Sequence, residues 1–237
     1  MILAKENNDA PLAQRPTSAE IAAFVEAARN APAPVASNRG RLIFALDATM
    51  SRQATWDLAQ SLQARMFEVA AGLGGLDVQL VYFRGFNECR ASNFVSGGQG
   101  LSDLMARIDV RGGATQIGKV LAHARDEARR AKVGALVFVG DAMEENIDRL
   151  LATAGELTIA GVKAFMFQEG DDPATARAFR EIARLTGGAY GAFDASAAHR
   201  LEELLRAAAA YAAGGKAGLE AQAVKGEAAR LLLRQMR

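Results

Sequence analysis

Three oxygen-bearing side chains follow the first apolar run of the chain at alternate positions. Asp47, Thr49 and Ser51 come directly after IFAL in the segment RLIFALDATMSRQ. Two residues of the same chemistry stand at comparable points, since Thr115 follows a pair of glycines and Asp141 follows the apolar run ALVFVG. Two carboxylates and three hydroxyls are hard oxygen donors. Such donors suit Mg²⁺, with Mn²⁺ or Ca²⁺ as alternatives, and they do not suit zinc or copper.

The elements that must position these residues follow from the hydrophobic pattern. From Arg41 onward, short apolar runs alternate with segments of helical periodicity, which predicts successive βαβ units. We therefore predict an α/β fold: a Rossmann-like, doubly wound, mainly parallel sheet of six strands with helices on both faces. Only a few residues separate the second strand from Glu88–Val95, too few for a parallel crossover, so this third strand is predicted as a short antiparallel edge strand.

Ligands of such a sheet bind outside the carboxyl ends of the strands, where the strand order reverses. Asp47 and Asp141 are predicted to follow neighbouring strands at that point, with Thr115 at the start of the intervening helix. All five oxygen-bearing residues could then converge on one cation. The alternative is that Asp47, Thr49 and Ser51 only form a turn and a helix cap, because serine is a favoured N-cap residue.

Composition excludes several other functions. The net charge of the 237 residues is +1 and only 6% are aromatic, so neither a basic field nor stacking residues favour nucleic-acid binding. Cys89 is the single cysteine, which leaves neither an internal disulfide nor a thiolate metal cluster. The polar N-terminus lacks the apolar core of a signal peptide, and no apolar run has the length of a membrane span. A cytoplasmic setting is expected.

The chain is predicted to have three parts. Residues 1–40 form an N-terminal arm with a short helix, residues 41–211 form the α/β domain, and residues 212–237 form a hinge and a C-terminal amphipathic helix. The tail helix is expected to pack within the protein, with docking on a partner as the alternative. Glu144 and Glu145 are expected in the first turn of the helix after Asp141, where acidic side chains interact favourably with the helix dipole. In the alternative role, they reach the open position of the metal.

Three segments resemble the von Willebrand factor type A (VWA) family. DATMS resembles its Asp-x-Ser/Thr-x-Ser signature, GGATQIG its glycine-rich loop, and FVGDAMEEN its third segment, usually Thr-Asp-Gly or Ser-Asp-Gly. The sequence departs from this pattern at Thr49, which keeps the hydroxyl of the commoner serine. Gly140 and Ala142 also depart from it, because they flank Asp141 where a hydroxyl residue and a glycine are more usual.

The resemblance implies a metal-ion-dependent adhesion site (MIDAS) at the top of the sheet. It assigns the five ligand roles to Asp47, Thr49, Ser51, Thr115 and Asp141. It also implies a bacterial, intracellular adaptor that catalyses no reaction, in which the cation, commonly Mg²⁺, accepts an acidic side chain of a partner protein.

One enzymatic alternative stays open. An Asp after the first parallel strand also resembles the nucleophile of haloacid-dehalogenase-type phosphatases, which use Mg²⁺. That family usually has a second acid two residues later, where this chain has Thr49.

Overall fold

The computed structural model of the chain describes residues 39–49, 53–194 and 198–236. The predicted N-terminal arm, apart from residues 39 and 40, lies outside the described residues, and so does Ser51. Within the described ranges, no helix combines the length and the apolarity needed to cross a bilayer.

Strands and helices alternate along the described chain. The strands are β1 Gly40–Asp47, β2 Leu76–Arg84, β3 Glu88–Val95, β4 Ala135–Gly140, β5 Lys163–Glu169 and β6 Ala189–Phe193. The helices are α1 Gln53–Ala71, α2 Gly98–Met105, α3 Ile117–Arg130, α4 Ile147–Ile159, α5 Pro173–Thr186, α6 Ala198–Ala223 and α7 Glu227–Gln235.

The six strands form one sheet in the order β3-β2-β1-β4-β5-β6. Only the β2–β3 pair is antiparallel, and every other neighbouring pair is parallel. This confirms the predicted doubly wound sheet and its antiparallel edge strand. From β1 the chain first builds outward through β2 and β3, then returns to place β4 on the other side of β1. The strand order therefore reverses between β1 and β4.

Both faces of the sheet are buried under helices. In β1, Leu42, Phe44 and Leu46 belong to one apolar cluster, while Ile43 and Ala45 belong to a second cluster. This alternation follows from the two-residue period of a strand. Helices α1, α2, α6 and α7 cover the first cluster, and α3, α4 and α5 cover the second. Because helices cover both faces, a central strand such as β4 is expected to be apolar along its whole length.

The chain kinks at Gly215, inside the predicted hinge after residue 211. The range Ala198–Ala223 of α6 consists of two helical segments that meet at this residue, where φ is 61° and ψ is −151°. The second segment, before α7, is not part of the prediction. Alanine has the highest helix propensity, so the alanine-rich sequence continues as helix on both sides of that glycine.

The tail helix α7 packs on the sheet. Its Ala228 and Leu232 are buried in the first apolar cluster. Gln235 also pairs with the edge strand β6: its Oε1 accepts the Tyr190 N–H at 3.0 Å, and its Nε2 donates to the Tyr190 carbonyl at 2.9 Å. A side-chain amide thus supplies the hydrogen bonds that a further strand would supply.

Substitution of Leu232 tests how much this packing stabilises the protein. Leu232 is 0% exposed, so Leu232→Ala is expected to lower the free energy of unfolding by about 2–5 kcal/mol, because it removes buried methyl groups and leaves a cavity. Val224 lies just before α7 and is 82% exposed, so Val224→Ala should change it by less than about 0.5 kcal/mol. Urea unfolding followed by circular dichroism measures both. Equal effects would contradict the packing role.

Candidate metal site

The two predicted aspartate ligands follow the carboxyl ends of neighbouring strands. Asp47 is the last residue of β1 and is 3% exposed; Asp141 directly follows β4 and is half-buried. The parallel register pairs Leu46 of β1 with Val139 of β4, so both strands end at the same level of the sheet. Both carboxylates therefore lie on the edge where the strand order reverses, as the sequence predicts.

The loop after β1 orients Asp47 locally. The Thr49 N–H donates to Asp47 Oδ1 at 2.9 Å, and both residues are buried. The backbone of the intervening Ala48 donates to the Phe83 carbonyl at 2.9 Å and accepts the Arg111 N–H at 3.0 Å. A carboxylate has about four lone-pair positions, so Asp47 keeps the capacity to ligate a cation while it accepts the Thr49 amide.

Thr115 is joined to the loop after β4 by two reciprocal hydrogen bonds. Its N–H donates to Glu144 Oε2 at 3.0 Å, and its Oγ1 accepts the Glu144 N–H at 3.1 Å. A hydroxyl oxygen has two lone pairs, so the Thr115 oxygen can also ligate a cation. These bonds hold the GGATQIG segment against the FVGDAMEEN segment without the help of a metal.

Glu145 caps a helix other than its own. Helix α3 begins at Ile117 without a side-chain cap from its N-cap residue, Gln116. The Glu145 carboxylate accepts the N–H of Ile117 and, at 2.9 Å, that of Gly118. Burial raises the pKa of Glu145 above its usual value, and these backbone hydrogen bonds oppose the shift.

These contacts correct the sequence-based expectation for both acids. Helix α4 begins only at Ile147, with Asn146 as its N-cap, so neither Glu144 nor Glu145 lies in its first turn. One sequence signal pointed to such a role: the GGATQIG segment opens α3 with no acidic residue in its first turn. A helix start without its own cap needs acceptors from elsewhere in the fold.

Two glycines are required by close contacts. A Cβ on Gly113 would lie 2.1 Å from the Gly85 carbonyl oxygen, so the loop before α3 can approach the end of β2 only because this residue has no side chain. The Gly85 carbonyl also accepts the Ala114 N–H at 3.2 Å. A Cβ on Gly140 would lie 2.8 Å from the Phe138 ring, so a hydroxyl residue before Asp141 would require that ring to move.

Four of the five predicted ligands therefore lie at the carboxyl end of the sheet, Asp47 as the last residue of β1 and the other three in loops. We call this group the candidate metal site: Asp47, Thr49, Thr115 and Asp141. Ser51 is outside the described residues. Among described residues no three His, Cys, Asp or Glu side chains form a group that could hold a metal ion, so any cation here depends on hydroxyl ligands as well as the two carboxylates. All four side chains are hard oxygen donors, which fit Mg²⁺.

Substitution of neighbouring glycines tests the packing of the loop before α3. Gly113→Ala is expected to lower the free energy of unfolding by about 1–3 kcal/mol, because the added methyl group overlaps the backbone of Gly85. It should also speed hydrogen exchange at the Ala114 amide. Nothing lies within 4 Å of a Cβ on Gly112, so Gly112→Ala serves as the matched control, measured by urea unfolding and NMR. Identical stability and exchange in the two variants would show that the contact is dispensable.

Comparisons with known proteins identify the fold. No protein-family model and no curated protein sequence matches the chain. Among solved structures, it is similar to an aerotolerance-related membrane protein from Bacteroides fragilis (18% identity, TM-score 0.53, 72% of this chain and 98% of that chain). It is also similar to the SpRpn10 VWA domain (12% identity, TM-score 0.54, 67% and 90% covered).

A third similar structure contains a metal. It is proximal thread matrix protein 1 from the mussel byssus, with a zinc-occupied MIDAS motif (16% identity, TM-score 0.55, 74% of this chain and 47% of that chain). At these identities the likeness concerns the fold. The chain has the Rossmann-like fold of VWA domains.

Proposed function

We propose that this protein is a metal-dependent protein-interaction module. A divalent cation, Mg²⁺ by preference, is held by Asp47, Thr49, Ser51, Thr115 and Asp141. It accepts the carboxylate of an acidic residue on a partner protein, and no reaction is catalysed. One observation carries this proposal: Asp47 and Asp141 follow neighbouring parallel strands at the point where the strand order reverses.

The number of donors supports binding of one further oxygen ligand. When bound, a divalent cation would act as a Lewis acid; the two aspartates would offset its charge, the neutral hydroxyls would only donate lone pairs, and five side chains would leave one of six positions of Mg²⁺ open. A position left open by the protein oxygens suits a partner's carboxylate. The hydrogen bonds from Thr49 to Asp47 and between Thr115 and Glu144 hold these donors in place before a ligand arrives, which favours binding because less freedom is lost.

The described loops favour this function over phosphoryl transfer. Thr49 occupies the position where haloacid-dehalogenase-type phosphatases usually have a second acid, and its backbone amide donates to Asp47 Oδ1. A second acid could act as proton donor to a leaving group, which a threonine hydroxyl does poorly near neutral pH. We therefore propose a ligand role for Asp47, not a nucleophilic one. The zinc-occupied MIDAS of the mussel protein supports cation binding at this place in the fold. An adaptor role in the cytoplasm belongs to the same proposal.

Metal addition should stabilise the folded protein. A cation that binds only the folded state at 100 times its Kd adds about 2.7 kcal/mol, which corresponds to a rise in Tm of roughly 5–10 °C for a chain of this size. We expect this rise with Mg²⁺ or Mn²⁺ in a thermal-unfolding assay and its loss in Asp47→Ala. Asp171, exposed in the loop after β5, supplies the control variant Asp171→Ala, which should respond like wild type. An unchanged Tm at millimolar metal would argue against the site.

Partner binding should require both the metal and Asp47. We expect proteins captured from native extract in Mg²⁺ to be released by EDTA, and not to be captured by Asp47→Ala, because the partner's carboxylate loses its cation. Mass spectrometry of the eluates compares wild type, Asp47→Ala and Asp171→Ala. Capture by Asp47→Ala in EDTA equal to that by wild type would contradict the mechanism. So would hydrolysis of an aryl phosphate that depends on Mg²⁺ and is lost in Asp47→Asn.

A further inference from the structure

An exposed aromatic side chain lies beside the candidate metal site. Three large apolar side chains are strongly exposed among the described residues: Phe86 (88%), Ile159 (89%) and Val224 (82%). Ile159 ends α4 near the amino ends of the strands, and Val224 lies between α6 and α7. Phe86 instead occupies the β2–β3 turn at the carboxyl end of β2, on the edge that carries the two aspartates. Of the three, it is the one whose turn is joined by hydrogen bonds to the loop that leads to Thr115.

The turn that carries this ring is held on both sides. Arg84 and Glu88, which flank it, form two hydrogen bonds of 2.9 and 3.1 Å. The Lys119 ammonium donates to the Asn87 side chain and, at 3.2 Å, to the Asn87 carbonyl. Gly85 makes the sharp change of direction with φ of 60°. Such a turn presents an apolar side chain with little backbone freedom left to lose on binding.

The strand register limits the distance between the backbones of Phe86 and Asp47. Phe83 is paired with Asp47 in the β1–β2 register, and Phe86 follows three residues later. Its Cα is therefore within about 15 Å of that of Asp47, because each residue spans at most about 3.6 Å and neighbouring strands lie about 4.8 Å apart. The Gly85 carbonyl accepts the Ala114 N–H at 3.2 Å, which joins this turn to the loop that leads to Thr115.

The surroundings of the ring carry exposed positive charge. Arg111 is exposed, forms no ion pair with any described residue, and has its N–H bonded to the Ala48 carbonyl between Asp47 and Thr49. Lys119 is exposed on the other side of the turn. The acids around the turn already have partners: Glu88 pairs with Arg84 and Arg90, and exposed Asp109 lies beside Arg84, which donates to its carbonyl. The carboxylate of Glu144 accepts the Thr115 amide. Opposite charge at an interface favours encounter and orientation, so this rim favours an acidic segment.

We propose that Phe86 is the apolar anchor of the partner-binding surface, with Arg111 and Lys119 as its basic rim. The occupant is an extended segment of a partner protein. It carries one Asp or Glu for the metal, a large apolar residue about three to five positions away that packs on Phe86, and further acidic residues facing the rim. This inference rests on the proposed function, because the metal-bound carboxylate sets the register of the segment.

Selection from a library of short random peptides tests this surface. The full-length protein is immobilised in Mg²⁺, and bound peptides are eluted with EDTA and sequenced. We expect an acidic residue and a large apolar residue at a constant offset. The affinity of a selected synthetic peptide is then measured by calorimetry with wild type, Phe86→Ala, Ile159→Ala and Asp47→Ala.

Phe86→Ala should weaken binding by about 10- to 30-fold, as truncation of a central aromatic contact does. It should leave Tm and the metal response unchanged, because the ring is exposed. Ile159→Ala, which alters an equally exposed residue on the opposite edge, should bind like wild type.

The outcomes separate this inference from the proposed function. Metal-dependent peptides that bind Phe86→Ala and wild type equally, or that lack a constant apolar position, overturn the role of Phe86 and leave the metal site standing. Peptides that bind equally in EDTA and to Asp47→Ala overturn both. Two further results would overturn the proposal by showing that the ring contacts something else. In the first, wild type binds phosphatidylserine vesicles and Phe86→Ala does not. In the second, sedimentation velocity shows that wild type is a dimer and Phe86→Ala a monomer.

Discussion

The parallel pairing of β1 with β4 is the constraint on which the candidate site depends. From β1 the chain adds β2 and β3 on one side, and from β4 it adds β5 and β6 on the other side. The helices that follow β1 and β4 therefore cover opposite faces of the sheet. In folds of this kind, ligands bind outside the carboxyl ends of the strands at this point. Both strands are buried on both faces over most of their length, and the one charged side chain between their ends, that of Arg41 near the start of β1, is paired with Glu127. At the carboxyl ends the charged groups are Asp47, the last residue of β1, and Asp141, which directly follows β4.

Contacts between loops turn this placement into a defined arrangement. Thr115 and Glu144 bond each other through both side chain and backbone, and Glu145 supplies the acceptors that the start of α3 lacks. Such helix caps stabilise by about 1 kcal/mol each, and a hydrogen bond by a net of about 1 kcal/mol. These amounts are modest, but each is shared by two segments distant in sequence. Displacing the loop after β4 therefore also disturbs the start of α3.

Periodicity and chain connectivity were enough to predict the sheet. Apolar runs of strand length, helical patterns between them and the short link before Glu88 predict a doubly wound sheet with one antiparallel edge strand. The full strand order comes from the structure. The roles of Glu144 and Glu145 could not be predicted, because they depend on α4 beginning at Ile147 and on the distance to another helix. The predicted hinge after residue 211 corresponds to the kink at Gly215, whereas the helical segment between that glycine and Ala223 could not be predicted from the two adjacent glycines. The exposure of Phe86 is likewise a tertiary property.

The contact between Gly140 and Phe138 has a consequence for how this sequence can change. Phe138 is buried between Phe83, at 6.1 Å between ring centroids, and Phe179, at 5.4 Å. Its ring occupies the space that a side chain at position 140 would need. A serine before Asp141 therefore requires the Phe138 ring to move or a smaller residue to replace it, and that replacement alone leaves a cavity in the core. We therefore expect substitutions at the two positions to be non-additive, so that their order, and not only their identity, affects which sequences this fold can reach.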